Sequence, residues 1–160
     1  MYSCGIYEKT LQKLIRGLKY HKQKELAGYL AQFMYEYWKE LSDKRDFQVI
    51  PVPLHENRIK KRKYNHMELT ADEFCKLSAF TPNYELIKRI KDTKPQYKLT
   101  RTERLKNLAG AFEVDLTKDL KKPVLILDDI CTTGATFEEM IKTLKSKGIT
   151  EIVCLASSSP

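Results

Sequence analysis

Val124-Leu-Ile-Leu-Asp-Asp-Ile-Cys-Thr-Thr-Gly-Ala-Thr136 is the stretch of this 160-residue chain from which its architecture can be read. Pro123 precedes four consecutive apolar residues, the composition of a strand covered on both faces. Two adjacent carboxylates, Asp128 and Asp129, stand at its carboxyl end, followed by a turn of small and hydroxylated residues containing Gly134. A helix is expected to begin near Thr136. Thr136 and Glu139 have the spacing of a capping pair, Met140, Ile141 and Leu144 supply a buried face, and Lys145, Lys147 and Gly148 mark the end. Glu151-Ile-Val-Cys-Leu-Ala then reads as a second strand. Strand, helix and strand in this order predict a right-handed parallel crossover, and with it an α/β protein.

Upstream of this unit the apolar spacing predicts two helices, over 7–18 with Leu11, Leu14, Ile15 and Leu18 on one face, and over 24–41 with Leu26, Leu30, Phe33, Met34, Tyr37, Trp38 and Leu41. Phe47-Gln-Val-Ile-Pro-Val-Pro reads as a short strand that Pro51 and Pro53 end, since neither can donate to a ladder. A basic loop is expected next, then a helix over 65–77 with Met67, Ala71, Phe74 and Leu77 inside, then a strand over 86–90. The stretch 91–110 has no strand pattern. Thr100 and Glu103 can cap one short helix within it, the remainder reading as loop.

Composition narrows the class. With 42% apolar residues and 31% charged, the chain can bury one globular core. No apolar run is long enough to span a bilayer, and the N-terminus lacks the basic-then-apolar order of a signal peptide, so a cytoplasmic protein without membrane insertion is expected. Cys4, Cys75, Cys131 and Cys154 form no C-x-x-C pair and are expected to be reduced thiols. The net charge of +8 is concentrated. Residues 58–63 carry five positives in six, and 88–106 carry eight positives against Asp92 and Glu103. Charge placed this way suits an anionic ligand, a polyphosphate or a nucleic-acid backbone.

The order of residues at 124–136 has a chemical logic. Ligands of open α/β sheets bind beyond the carboxyl ends of the strands, and a helix N-terminus with small residues and hydroxyls is suited to a phosphate. The carboxylates just before it would suit a sugar's vicinal hydroxyls, with Mg²⁺ nearby. The 13-residue stretch resembles the phosphoribosyl pyrophosphate (PRPP) signature of type I phosphoribosyltransferases. The likeness extends to the ComF family of competence protein F-like proteins. Tyr7 with Leu18-Lys19-Tyr20 is similar to its opening helix. Ile50-Pro-Val-Pro-Leu-His55 with Arg58, Arg62, Tyr64 and Asn65 is similar to its pyrophosphate-loop region, and Pro95-Gln96, Leu99, Arg104, Asn107 and Ala111-Phe112 to its flexible segment.

The resemblance implies a type I phosphoribosyltransferase-like, Rossmann-like α/β fold: an open, mostly parallel sheet flanked by helices, with a small N-terminal helical hood. It implies one domain, with residues 1–45 packed on a core of 46–160 and a flexible segment at about 91–110. Asp128 and Asp129 would bind the ribose hydroxyls directly or through Mg²⁺, and Thr132, Thr133, Gly134, Ala135 and Thr136 would cradle the 5-phosphate. Arg58 or Arg62 is expected on the pyrophosphate side. At least one of Lys94, Lys98, Arg101 and Arg104 is expected to reach it from the flexible segment. Members of the family commonly carry a cysteine-rich zinc finger before the first helix. Here Cys4 alone precedes that helix, so no zinc is expected in this chain: either this is a short member or upstream sequence is absent.

His21, His55 and His66 lack metal-ligand spacing, and only His55, beside the basic loop, suggests a role. Two functional classes stay open. One is an enzyme transferring phosphoribose from PRPP to a base or amine, with Mg²⁺ and in a homodimer such as type I enzymes often form. The other is a non-catalytic single-stranded-DNA-binding or adaptor protein of natural transformation, partnered by competence machinery, in which Tyr20, Tyr64 and Tyr97 could stack bases beside the basic stretches.

Overall fold

The computed structural model describes residues 1–94 and 99–160. In chain order the elements are β1 (Tyr2–Ser3), α1 (Lys9–Tyr20), α2 (Leu26–Glu40), β2 (Gln48–Pro51), α3 (Glu56–Arg62), α4 (His66–Ser78), β3 (Thr81–Pro82), β4 (Ile87–Arg89), α5 (Arg101–Leu108), β5 (Phe112–Val114), β6 (Val124–Ile130), α6 (Ala135–Lys145) and β7 (Ile152–Ser158). Five strands form a parallel sheet in the order β1-β7-β6-β2-β3, and β4 and β5 form a separate antiparallel ribbon. The fold is thus a mostly parallel sheet flanked by helices.

β6 lies in the middle of the sheet, with Leu125 and Ile126 opposite Val153 and Cys154 on one side and Val49 and Ile50 on the other. Residues 124–127 are completely buried, as a continuous apolar run in a covered parallel sheet should be. The period of two along a strand divides its side chains between two cores. Leu125 and Leu127 join Val49, Val153 and Leu155 beneath Ile15 of α1, Leu30, Met34 and Trp38 of α2, and Phe74 of α4. Val124 and Ile126 join Ile50, Cys154 and Ala156 against Phe137, Met140 and Leu144 of α6 and the ribbon residues Ile87, Phe112 and Val114. The helices before residue 45 therefore belong to a layer lying on the sheet itself, and the C-terminal end of α1 carries Lys19 and Tyr20 to the cavity described below.

Several expectations need correction. The basic loop after the first strand contains a helix, α3, because the His55 side chain accepts the Asn57 N–H at 3.3 Å and caps it, while Lys60, Lys61 and Arg62 fall in its last turn, where the helix dipole favours cations. The strand over 86–90 is not part of the parallel sheet. It pairs with β5, which carries no alternation long enough to be read from three residues. Phe33 and Leu77, placed inside by spacing, are 39% and 38% exposed, at the edges of their helices' apolar stripes. α6 begins at Ala135 with Gly134 as its cap and no side-chain cap, and Glu139 instead accepts the Gly110 N–H at 2.7 Å. The Thr100–Glu103 capping box does form and starts α5. Pro95-Gln96, Tyr97 and Lys98 lie outside the described residues. Among the described residues no helix is long and apolar enough to cross a membrane.

Candidate functional site

A cavity of about 620 Å³ opens at the carboxyl ends of β2 and β6, and Lys19, Arg58, Arg62, His66, Arg89, Arg104, Asp128, Asp129, Thr132 and Thr136 are among the residues lining it. Its position follows from the fold, since the parallel strands deliver their following loops to one edge of the sheet. The two carboxylates come from consecutive residues of β6 and so start on opposite faces.

Asp129 points with Leu125 and Leu127 toward the α1 and α4 side. There its Oδ2 meets Lys19 Nζ at 2.7 Å and makes a short contact with His66 Nε2. The hydroxyls of Ser157 and Ser158 donate to its carbonyl at 2.6 and 2.9 Å, which anchors the backbone at this point. Burial alone would raise the pKa of this carboxyl, but the Lys19 charge and the His66 hydrogen bond outweigh it and hold Asp129 ionised, well below the usual carboxylate range. For Lys19 burial opposes the charge, and Asp129 more than restores it. His66 is held neutral chiefly by burial, against the pull of Asp129.

Asp128 points the other way and is only partly buried. Its Oδ1 accepts the Asp129 N–H at 2.8 Å. Burial, reinforced by the neighbouring Asp129 charge, pushes its pKa up to about 7. Asp129 is therefore engaged by protein side chains, and Asp128 lines the cavity beside it.

The turn after β6 is shaped by Gly134, whose φ of +76° lies in the left-handed region and whose missing Cβ would stand 3.3 Å from Met1 Cε. The turn and the start of α6 line a hollow of about 20 Å³ formed by Thr132, Thr133, Gly134, Ala135 and Thr136 among others. The first intrahelical bond runs from Glu138 N–H to Gly134 O at 2.8 Å, and the Ala135 N–H donates to the Thr133 hydroxyl at 3.4 Å. Arg104 of α5 donates to the Thr132 hydroxyl, bringing α5 against this turn.

Of the other basic residues singled out by sequence, Arg58 and Arg62 of α3 line the cavity as Arg104 does, whereas Lys94 does not and Arg101 pairs with Glu138 at 3.3 Å. Lys98 lies outside the described residues. His55 serves as the α3 cap and stands 3.8 Å from Asp92. Lys19, His66 and Arg89 also line the cavity and were not singled out for it. Arg89 lies within the basic stretch that composition had marked. Nothing in the spacing of Lys19 or His66 signals their meeting at Asp129, since they are brought there by different helices.

The donor set suits at most a lightly held divalent cation. Among the described residues no group of three or more His, Cys, Asp or Glu side chains is arranged to hold a metal. Mg²⁺ retains waters and substrate oxygens and needs only one or two protein carboxylates, a role open to Asp128, while Asp129 Oδ2 is taken by Lys19 and His66.

No family model matches the chain. It is similar to competence protein F of Haemophilus influenzae, 29% identical in an alignment of 158 positions that covers 95% of this chain and 69% of that protein. It is also similar to DNA utilization protein YhgH of Salmonella typhi, 26% identical in an alignment of 154 positions that covers 92% of this chain and 66% of that protein. The chain thus spans about two thirds of the length of these relatives. Among solved structures, a hypoxanthine phosphoribosyltransferase from Staphylococcus aureus superposes with a TM-score of 0.47 at 12% identity, over 83% of this chain and 62% of that one, a likeness too distant to bear on activity. By sequence, over more than nine-tenths of its length, the chain is related to proteins named for competence and DNA utilization.

Proposed function

We propose that the chain binds PRPP and transfers its 5-phosphoribosyl group to a base or amine, releasing pyrophosphate, in the service of competence or DNA utilization. The observation that carries this reading is a single cavity joining a partly buried carboxylate, a glycine turn at a helix N-terminus and several arginines. Thr132 to Thr136 would hold the 5-phosphate, and Asp128 would accept hydrogen bonds from the ribose hydroxyls. Asp129, held by Lys19 and His66, would keep the backbone of that pair in place. In the reaction the C1–O bond breaks with its electron pair leaving on pyrophosphate, and an acceptor nitrogen forms the new bond to C1 and releases its proton. The arginines that line the cavity would supply the stabilisation that such a charge-developing step requires. Mg²⁺, when bound at Asp128 and the substrate, would supply further neutralisation of the diphosphate charge.

A second reading, single-stranded nucleic acid binding, is favoured by one feature. Tyr20 is 64% exposed with the Arg62 guanidinium over its ring at 5.5 Å, and Lys24 lies 5.0 Å from the ring of Tyr64, which follows Lys60, Lys61 and Lys63 in the chain. Calorimetric titration of PRPP with and without Mg²⁺, in the wild type and in Asp128→Asn/Asp129→Asn, separates the two. Saturable binding lost in the folded double variant is the expected result. Absence of binding by folded wild type would sink the PRPP reading, and steeply salt-dependent affinity for single-stranded DNA would then carry the second.

A further inference from the structure

Lys19, Asp129 and His66 come from α1, β6 and α4 and meet in a buried group whose last atom is unused. Asp129 Oδ2 is paired with Lys19 Nζ at 2.7 Å and makes a short contact with His66 Nε2. An ionised carboxylate only accepts, so Nε2 is the donor, and the neutral ring then carries its lone pair on Nδ1. Among the described residues Nδ1 has no hydrogen-bond partner, although His66 is only 3% exposed and forms part of the cavity wall. Buried polar atoms are nearly always paired, because an unpaired one bears its full desolvation penalty. The ring is also fixed from behind. Asn65 caps α4 by accepting the Met67 N–H at 3.0 Å and donates to Val52 O at 3.2 Å, while the Thr70 hydroxyl donates to His66 O at 2.9 Å. An acceptor atom is thus held in one tautomer and one orientation at the cavity with nothing in the protein to receive.

The pleat of β6 decides which part of a ligand meets this atom. Asp128 alternates with Asp129 and so shares the face of Ile126, on the side of α6, into which the turn at residues 132–136 leads. A phosphoribosyl group held by Asp128 and that turn belongs to this side. His66 stands on the other, with Lys19, Tyr20 and Met67 in the same cavity wall, on the side left for the second substrate. We infer that His66 Nδ1 takes the proton of the attacking acceptor, and that the acceptor is therefore a nitrogen bearing hydrogen, an amine or the N–H of a heterocycle, and not a pyridine-type nitrogen with no proton to lose. The inference rests on the PRPP reading. As the C1–O bond breaks with its electron pair on pyrophosphate, the lone pair of the acceptor nitrogen forms the bond to C1. The N–H bond then returns its pair to nitrogen and its proton passes to Nδ1. The imidazolium so formed keeps its Nε2–H on the Asp129 carboxylate, which stabilises the new charge in place. Contacts between a proton acceptor and its substrate commonly tighten only in the complex, in keeping with the burial of Nδ1 in the ligand-free protein.

Two measurements test it. In wild type labelled with ¹⁵N-histidine, the ring shifts at neutral pH should place the His66 proton on Nε2 and none on Nδ1; the opposite tautomer would overturn the inference. Pyrophosphate release from PRPP with Mg²⁺ is then followed in the full chain, with ammonia and adenine as N–H probes and nicotinate as the pyridine-type probe. Release with an N–H probe and none with nicotinate is expected. His66→Gln, whose amide can still donate to Asp129 from the place of Nε2, should keep its Tm and PRPP affinity and lose about a hundredfold or more in kcat, with KM for the probe little changed. If His66 were only a prop for Asp129, His66→Gln would turn over at the wild-type rate, and the inference would fall. Release with nicotinate, or PRPP binding without release by either N–H probe, would also defeat it. Should His66→Gln not fold, His66→Ala is read with added imidazole: partial recovery of turnover supports the role, and no recovery overturns it. Failure of PRPP to bind the folded wild type is a separate result, seen by calorimetry before any acceptor is added, and it removes the transferase reading and this role together.

Discussion

Asp128 and Asp129 are chemically identical neighbours whose surroundings drive their protonation in opposite directions. Asp129 is ionised because Lys19 and His66 are packed against it; Asp128 resists ionisation because it is desolvated beside a negative charge. The folded protein therefore holds the Asp128 proton more tightly than the unfolded chain, whose carboxyl titrates near 3.8. That contribution to stability is complete below the unfolded pKa and disappears as pH rises through about 7. Asp128→Asn should accordingly stabilise the ligand-free protein by about 1–3 kcal/mol at pH 8, since each tenfold change in proton affinity is worth about 1.4 kcal/mol and partial exposure reduces the total. The gain should fade toward pH 4. Calorimetric Tm across this range checks it, and a gain independent of pH would contradict the assignment. The two carboxylates themselves were legible from the motif. Their division of labour was not, because Lys19 and His66 lie 110 and 63 residues away in the chain.

At the scale of elements, local signals decided more than periodicity in the segment after β4. Thr100 accepts the Glu103 N–H while the Glu103 carboxylate accepts the Thr100 N–H at 2.7 Å, and this reciprocal cap starts an eight-residue helix whose apolar face is weak. Only Leu108 of α5 is buried, so the helix depends on its ends and on contacts such as that of Arg104 with Thr132. Thr100→Ala should cost about 1 kcal/mol, lost from α5 itself. Hydrogen exchange should show α5 amides opening more often while those of β6 keep their protection; equal loss in both would mean that the cap supports the whole fold. α3 escaped prediction because a seven-residue helix with no buried residue leaves no apolar period, and its cap is a histidine, an uncommon residue for that position. β4 and β5 escaped correct placement for a related reason: three residues with alternating burial can join any sheet edge.

For the whole molecule, the defining feature is a sheet whose central strand separates two apolar cores and ends at the cavity. Truncating either side of β6 should therefore be costly. Ile126→Ala and Leu127→Ala, on opposite faces and each fully buried, should each destabilise by about 2–5 kcal/mol, measured by denaturant unfolding. A cost below about 1 kcal/mol for one of them would mean that its layer repacks freely. The strand-turn-helix-strand unit at the carboxyl end, the burial of residues 124–127, the glycine turn and the adjacency of Asp128 and Asp129 all follow from the chain alone, because they depend on neighbours within a few residues and on periods of two and 3.6. That Lys19, His66, Arg58 and Arg89 share one cavity with the two carboxylates is instead a product of packing. Each comes from a different element, and which distant charges meet depends on how those elements lie against one another, a property that no local pattern in the chain encodes.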